Sequence, residues 1–225
     1  MSEPVWRGDA VLFDLDGVLV DSLEASERVW LRWAERHGVE RARLLATVHD
    51  GSARDSVAKL APYLDAEAES ARLEFEQVDD TEGVVALPGA AGLTAAIPAG
   101  RWAVVTSCTI PLAEARLAAA GLPRPRTLIT IDGLECGKPA PEGYLAAASA
   151  LSAEPSRCLV VENAPSGVAA GRAAGATVLG LLTSHSAAEL SDAQIHGPHL
   201  GAFSLTSEEP LELSSAPRAR AGSPA

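Results

Sequence analysis

The chain has 225 residues, 47% hydrophobic and 4% aromatic, which suits one or two compact domains whose core rests on Ala, Leu and Val. Its 18 basic and 30 acidic residues leave a net charge of −12, which argues against nucleic-acid or anionic-membrane partners, because phosphate-rich surfaces select clustered Lys and Arg. There is no apolar signal stretch and no run long enough for a membrane span, and the 3 cysteines lack metal-ligand spacing; a cytoplasmic protein, monomer or weak homodimer, is expected.

In chain order, the first strand is predicted over Ala10–Leu15 (AVLFDL), a buried apolar run that ends in acidic residues and a glycine. Helices alone follow: Ser22–His37, with Leu23, Val29, Trp30 and Trp33 at helical spacing and Gly38 as its stop, then Ser56–Leu64 and Ala66–Val78. The chain rejoins at Leu87-Pro88-Gly89, so the helices form an insert on two hinges. Strands are then predicted at Trp102–Thr106, Thr127–Thr130, Cys158–Glu162 and Thr177–Leu181, alternating with helices near Pro111–Ala120, Glu142–Leu151 and Ser166–Ala174. That alternation predicts an α/β fold with a parallel sheet. The expected division is a core of residues 1–20 and 84–205, an all-helical cap over 21–83, and a flexible tail over 206–225, where Ser, Pro, Ala, Glu and Arg dominate.

Four signals fall at predicted strand ends, where open parallel sheets bind ligands. Asp14-Leu15-Asp16-Gly17 sets two carboxylates two residues apart before a glycine turn, able to face one crevice and hold a divalent cation. Thr106-Ser107 is a hydroxyl pair suited either to a phosphate oxygen or to capping the next helix. Lys138, between Gly137 and Pro139, is positioned to neutralise a phosphate or a nucleophilic carboxylate, or is an exposed loop lysine. Glu162-Asn163 offers two oxygen-bearing side chains for a hard cation of the Mg²⁺ type, and equally a helix start with Pro165 in its first turn.

The order DxDG, Ser/Thr, Lys, acidic pair resembles the haloacid dehalogenase superfamily over Val11 to Ser184, with the helical insert matching its C1-type cap. The stretches HDGSARDSVAKLAP, ALPGA, AVVTSCT, GKPAPEGYL and VVENAPSGVAAGRAAG are similar to small sugar and polyol phosphatases of the glycerol-phosphate and deoxysugar-phosphate types. The resemblance implies a Rossmann-like core and Mg²⁺-dependent hydrolysis of a small phosphate monoester. Asp14 would be the nucleophile that becomes an aspartyl phosphate. Asp16 would protonate the leaving alcohol and then deprotonate water. Ser107, with Thr106, would bind the transferring group, and Lys138 would offset the charge of Asp14 and phosphate. Mg²⁺ would be held by Asp14, the Asp16 carbonyl, Glu162 and Asn163.

Three positions depart from the family pattern. Asn163 stands where most relatives carry a second Asp, which predicts weaker metal binding. Cys108 replaces a glycine and reads as a small buried residue rather than a nucleophile. In the cap, His49-Asp50-Gly51 differs from the commoner His-Gly, which leaves substrate selection open; His49 and Arg54 are the substrate-binding candidates there. The rival reading is a phosphosugar mutase of the β-phosphoglucomutase kind; Arg54 would serve either enzyme, since a cap arginine can hold a distal phosphate or a hydroxyl.

Overall fold

The computed structural model describes residues 4–48 and 52–216. Its first strands are β1 (Trp6–Gly8), β2 (Ala10–Phe13) and the short β3 (Val20–Asp21). Four helices follow: α1 (Leu23–His37), α2 (Arg41–Leu45), α3 (Ala53–Leu60) and α4 (Ala66–Asp79). The chain continues through β4 (Val85–Ala86), α5 (Ala90–Ala96), β5 (Trp102–Val105), α6 (Ile110–Ala119), β6 (Leu128–Ile129) and α7 (Glu142–Ala150). It ends with β7 (Cys158–Glu162), α8 (Pro165–Ala173), β8 (Thr177–Leu181), β9 (Ile195–Gly197), β10 (Phe203–Glu208) and β11 (Leu211–Ser215).

Strands β6-β5-β2-β7-β8-β9 make a parallel sheet of six in that order. Every residue of β2, β5 and β7 is buried, as expected where both faces of a sheet are covered. One face carries Phe13, Val104, Val161 and Leu179 against Leu93, Leu112 and Leu117. The other carries Leu12, Val105, Val160 and Val178 against Tyr144, Ala147 and Val168. Because the chain leaves β2 for β5 and β6 on one side and returns to β7 on the other, the carboxyl end of β2 lies at the switch in strand order, where a crevice opens.

The expected strands and helices form, each starting and stopping within a few residues of the prediction. The first strand stops at Phe13, two residues early, because the chain turns out of the sheet after Asp14: Leu19 and Val20 donate their N–H groups to the Leu15 carbonyl. Helix α3 begins earlier than predicted because the Ser52 hydroxyl accepts the Asp55 N–H at 3.1 Å.

The tail expectation is corrected. Residues 203–208 and 211–215 form β10 and β11, which join β1 in an antiparallel sheet ordered β1-β11-β10. Leu211 and Leu213 are fully buried, and Trp6 and Phe203 nearly so. A Ser- and Glu-rich composition masks this alternation of apolar residues. Residues 217–225 of the expected tail lie outside the described residues.

The inserted helices have their own apolar cluster of Val29, Trp30, Trp33, Leu44, Val57, Leu60 and Leu73. Trp30 and Trp33 meet edge to face at 5.5 Å, and the Trp33 indole N–H donates to Glu69 at 3.1 Å. The two passages into and out of this unit pair antiparallel as β3 and β4. At the α4 end, Asp80 accepts from Arg28 at 2.5 and 3.1 Å and from Arg32 at 2.9 Å. These hydrogen bonds, Arg28 foremost, hold the Asp80 carboxyl down at about 2. A carboxyl with a lowered folded pKa stabilises above its unfolded value, near 4, and loses that effect as pH falls towards 2. Asp80→Asn is therefore expected to lower Tm by a few °C, on the order of a surface network, in full at pH 6 and by less at pH 3. An equal gap at both pH values in thermal melts would remove the charge from the explanation.

Candidate active site

The ends of β2, β5 and β7 and the loop after β8 meet at one cavity of about 620 Å³, roofed by α1, α3 and α4. Asp14, Asp16, Thr106, Ser107, Lys138, Glu162 and Asn163 all line it. The four signals separated in sequence are thus brought together. The turn that aims the two aspartates needs a glycine: Gly17 has φ +79°, and a Cβ there would lie 2.1 Å from Asn163 Nδ2.

Lys138 is the hub. Its Nζ donates to Asp14 Oδ1 at 2.6 Å, Glu162 Oε1 at 2.6 Å and the Val105 carbonyl at 3.2 Å, which uses all three of its N–H groups. The side chain is 11% exposed, so the reading of an exposed loop lysine is removed. Burial opposes its charge, but Asp14 and Glu162 outweigh burial and raise its pKa. One cation between two carboxylates leaves one negative charge in excess. Burial, with Glu162 and Asp16 nearby, accordingly pushes Asp14 up to about 7 against the pull of Lys138.

The structure separates the roles of Glu162 and Asn163. Glu162 is 1% exposed, and both of its oxygens are engaged. Oε1 accepts from Lys138 and from the Tyr144 hydroxyl at 2.7 Å, and Oε2 accepts the Asn163 and Ala164 N–H groups at 2.9 and 3.3 Å. A Cβ on Gly167 would meet this carboxylate at 1.9 Å, so α8 packs directly beneath it. Glu162 thereby positions Lys138 rather than offering an open oxygen to a cation. The Asn163 side chain does not start the helix either. Helix α8 has Ala164 at its N-cap with no side-chain bond, and Asn163 Nδ2 donates to Ser184 Oγ at 2.8 Å. Its Oδ1 is buried with no hydrogen-bond partner, the state of an oxygen that a ligand would complete.

These observations test the fit of a divalent cation. The available donors are the Asp14 carboxylate, the Asp16 carbonyl and Asn163 Oδ1, all hard oxygens. Among the described residues no three Asp, Glu, His or Cys side chains group into a metal site, and Glu162 is committed to Lys138, Tyr144 and backbone N–H groups. Around the cavity floor three carboxylates (Asp14, Asp16, Glu162) face two cations (Lys138, Arg116). A cation fits that excess of negative charge.

Thr106 and Ser107 do not cap α6, whose N-cap is Thr109 and whose first N–H, on Ile110, is taken by Asp132 at 2.7 Å. Thr106 is 3% exposed and accepts the Cys108 N–H at 3.1 Å, which leaves Ser107 as the more accessible hydroxyl. The Cys108 thiol is buried, and burial together with Asp16 raises its pKa, as expected for a packing residue and not a nucleophile.

Arg54 stands elsewhere. On α3 it is Ala53 and Ser56 that line the cavity. Arg54, about 100° round the helix from Ala53, projects outward with its side chain 68% exposed and Nε 3.2 Å from Glu67. His49 lies outside the described residues.

Sequence reasoning missed four contributors. Arg116, 7% exposed on α6, forms an ion pair with Asp16; its signal was a charge among Leu112, Ala113 and Leu117 on the buried face of that helix. Tyr144 supports Glu162. Ser22, at the hinge, donates to Asp16 Oδ1 at 2.6 Å. His185, after β8, meets the Asn163 carbonyl through Nδ1 at 2.8 Å. No helix among the described residues is long and apolar enough to cross a membrane.

Comparison with known proteins agrees with this geometry. The family model of the haloacid dehalogenase-like hydrolases matches residues 9–175. Hexitol phosphatase A of Escherichia coli (strain K12) is 44% identical over 77% of this chain and 82% of its own. Glycerol-1-phosphate phosphohydrolase 2 of Saccharomyces cerevisiae is 34% identical over 78% and 75%. A solved structure described as a putative β-phosphoglucomutase from Bacteroides vulgatus superposes with TM-score 0.69 at 27% identity, covering 88% of this chain and 86% of that one. With the model matching most of its length and two relatives above 30% identity, this chain belongs to the haloacid dehalogenase-like hydrolase family.

Proposed function

We propose that the chain is a Mg²⁺-dependent phosphatase that hydrolyses a small sugar or polyol phosphate through a phosphorylated Asp14. The observation that carries this reading is Lys138 Nζ, 2.6 Å from both Asp14 and Glu162, in the cavity that also holds the Asp16 carboxylate. An Asp14 oxygen attacks phosphorus while the bond to the leaving alcohol breaks and Asp16, which carries a proton in the substrate complex, gives that proton to the alcohol. Asp16 then takes a proton from water, the water oxygen attacks phosphorus, and the Asp14–phosphorus bond breaks to release phosphate. Lys138 offsets the charge of nucleophile and phosphate, so that an anion can approach an anion. Asp14, the Asp16 carbonyl and Asn163 would hold Mg²⁺, which supplies further charge neutralisation at the phosphoryl oxygens. The helical unit of residues 23–79 acts as the cap that covers the sugar.

The sugar or polyol class rests on the hexitol and glycerol-phosphate relatives together with a cavity roof that carries Glu74, a carboxylate that pairs with hydroxyls. A phosphosugar mutase is less well supported. Its neighbour is 27% identical against 44% for the phosphatase. Among the described residues the lysine and arginine lining the cavity, Lys138 and Arg116, are both committed to carboxylates, which leaves neither to hold a distal phosphate.

A panel of hexitol, glycerol, deoxysugar and phosphosugar esters with Mg²⁺ tests the reading: inorganic phosphate is the expected product. Isomerised ester without phosphate release would make the chain a mutase. EDTA is expected to abolish turnover. Asn163→Leu, which deletes the ligating oxygen, is expected to raise the Mg²⁺ concentration for half-maximal rate by about tenfold or more, and Asn163→Asp to lower it. Unchanged Mg²⁺ dependence in both variants would take Asn163 out of the metal site.

A further inference from the structure

Arg116 is a buried guanidinium on an otherwise apolar helix face, an arrangement that costs stability unless every charge is paired. It joins two parts of the molecule. Nη1 forms an ion pair with Asp16 Oδ2 and meets Cys108 Sγ at 3.1 Å. Nη2 donates to Ser26 Oγ and to Gln77 Oε1, each at 2.8 Å, and Ser26 donates to Gln77 at 3.0 Å. Ser26 belongs to α1 and Gln77 to α4, both in the helical insert, whereas α6, Cys108 and Asp16 belong to the sheet domain. Burial works against the charge on Arg116, and the pull of Asp16 outweighs it, so its pKa lies above the ordinary value.

Asp16 is held on both oxygens. Oδ1 accepts from Ser22, and Oδ2 accepts from Arg116 and from the Cys108 thiol at 3.1 Å. Of these three donors, Ser22 stands at the N-cap of α1, and Arg116 alone reaches both α1 and α4. One planar group therefore fixes the carboxylate with one amino arm and the cap helices with the other.

We propose that Arg116 is a positioning residue that ties the orientation of Asp16 to the seating of the cap through Ser26 and Gln77. This rests on the reading of Asp16 as the general acid and base. When α1 and α4 sit as they do here, the guanidinium is held from the cap side and the Asp16 carboxylate is held in turn. When they lift, Nη2 loses both acceptors and the carboxylate loses its fixed partner. Proton transfer to an alcohol is thereby coupled to closure around the substrate.

The test compares the parent, Asp16→Asn, Arg116→Lys, Arg116→Gln and Gln77→Leu on glycerol phosphate and on 4-nitrophenyl phosphate, with kcat and KM separated. An alkoxide needs the proton from Asp16 and an aryl oxide hardly does, so loss of positioning is read as a bias between the esters. General acid catalysis supplies roughly 10²–10⁴-fold, so Arg116→Gln is expected to lower kcat on glycerol phosphate by about 10–100-fold. The loss on the aryl ester should be about tenfold smaller, with KM changed by no more than about threefold. Arg116→Lys can reach one side of the joint and should fall between parent and Arg116→Gln. Gln77→Leu, which never touches Asp16, should show the same alkyl bias at about 3–10-fold. Equal losses on both esters, or a loss confined to KM, would overturn the role of Arg116. A Gln77→Leu protein without the bias would overturn the cap link. Should Arg116→Gln fail to fold, the lysine and Gln77 variants decide the same two points. If Asp16→Asn shows the bias and no Arg116 variant does, this inference fails while the phosphatase reading stands. A parent that releases phosphate from no ester of the panel above overturns that reading and this one with it.

Discussion

Asp14→Asn is expected to lower kcat for every phosphate ester by at least ~10⁴-fold, the scale on which enzymes lose a nucleophile. The amide has the shape of the carboxylate but no anionic oxygen to attack phosphorus. Its effect on the fold should be small or favourable. Burial already disfavours the charged form of Asp14, whose pKa is pushed up to about 7, and Lys138 keeps its second partner, Glu162, at 2.6 Å. Thermal melts should therefore give a Tm equal to or above that of the parent. A variant that still shows a burst of phosphate release would place the nucleophile elsewhere. A Tm lowered by more than about 5 °C, over 1 kcal/mol for a domain of this size, would attribute the inactivity to unfolding instead.

How much of this was legible in the sequence depends on which physical signal each residue leaves. Asp14, Ser107, Lys138 and Asn163 come to one cavity because strand ends in a parallel sheet converge by topology, so that predicting the strands already predicts the crevice. Arg116 has no such position. It lies mid-helix, and only its place beside Leu112 and Leu117 on the buried face marks it as a paired charge. Glu162 lies on the same cavity, but its geometry gives both oxygens to Lys138, Tyr144 and backbone N–H groups. Spacing along a chain does not reveal which neighbour claims a carboxylate first. Arg54 shows the converse: a residue type suited to phosphate, on the right helix, turned outward by one step of helical phase. Strands β10 and β11 were lost because their apolar residues alternate within Ser and Glu, so composition averaged over the segment hid the period.

Lys138→Met is expected to cut kcat by about 10³-fold, the upper range for removing one preorganised donor from a charged transition state. It should also destabilise the fold by about 3–5 kcal/mol, because breaking a buried ion pair leaves its partners uncompensated. Lys138 sits between Asp14 and Glu162, and without it two buried carboxylates face each other across the space its ammonium filled. These two effects have different origins and can be separated. Glu162→Gln, added to Lys138→Met, removes the surplus charge, while the amide oxygen still accepts from Tyr144. The double variant is expected to regain most of the lost stability in urea or thermal unfolding. It should regain no activity, because the positive charge that lets phosphate approach Asp14 is still missing. Recovery of turnover along with stability would reduce Lys138 to a structural ion-pair partner. Parental kcat in Lys138→Met alone would remove it from the chemistry altogether.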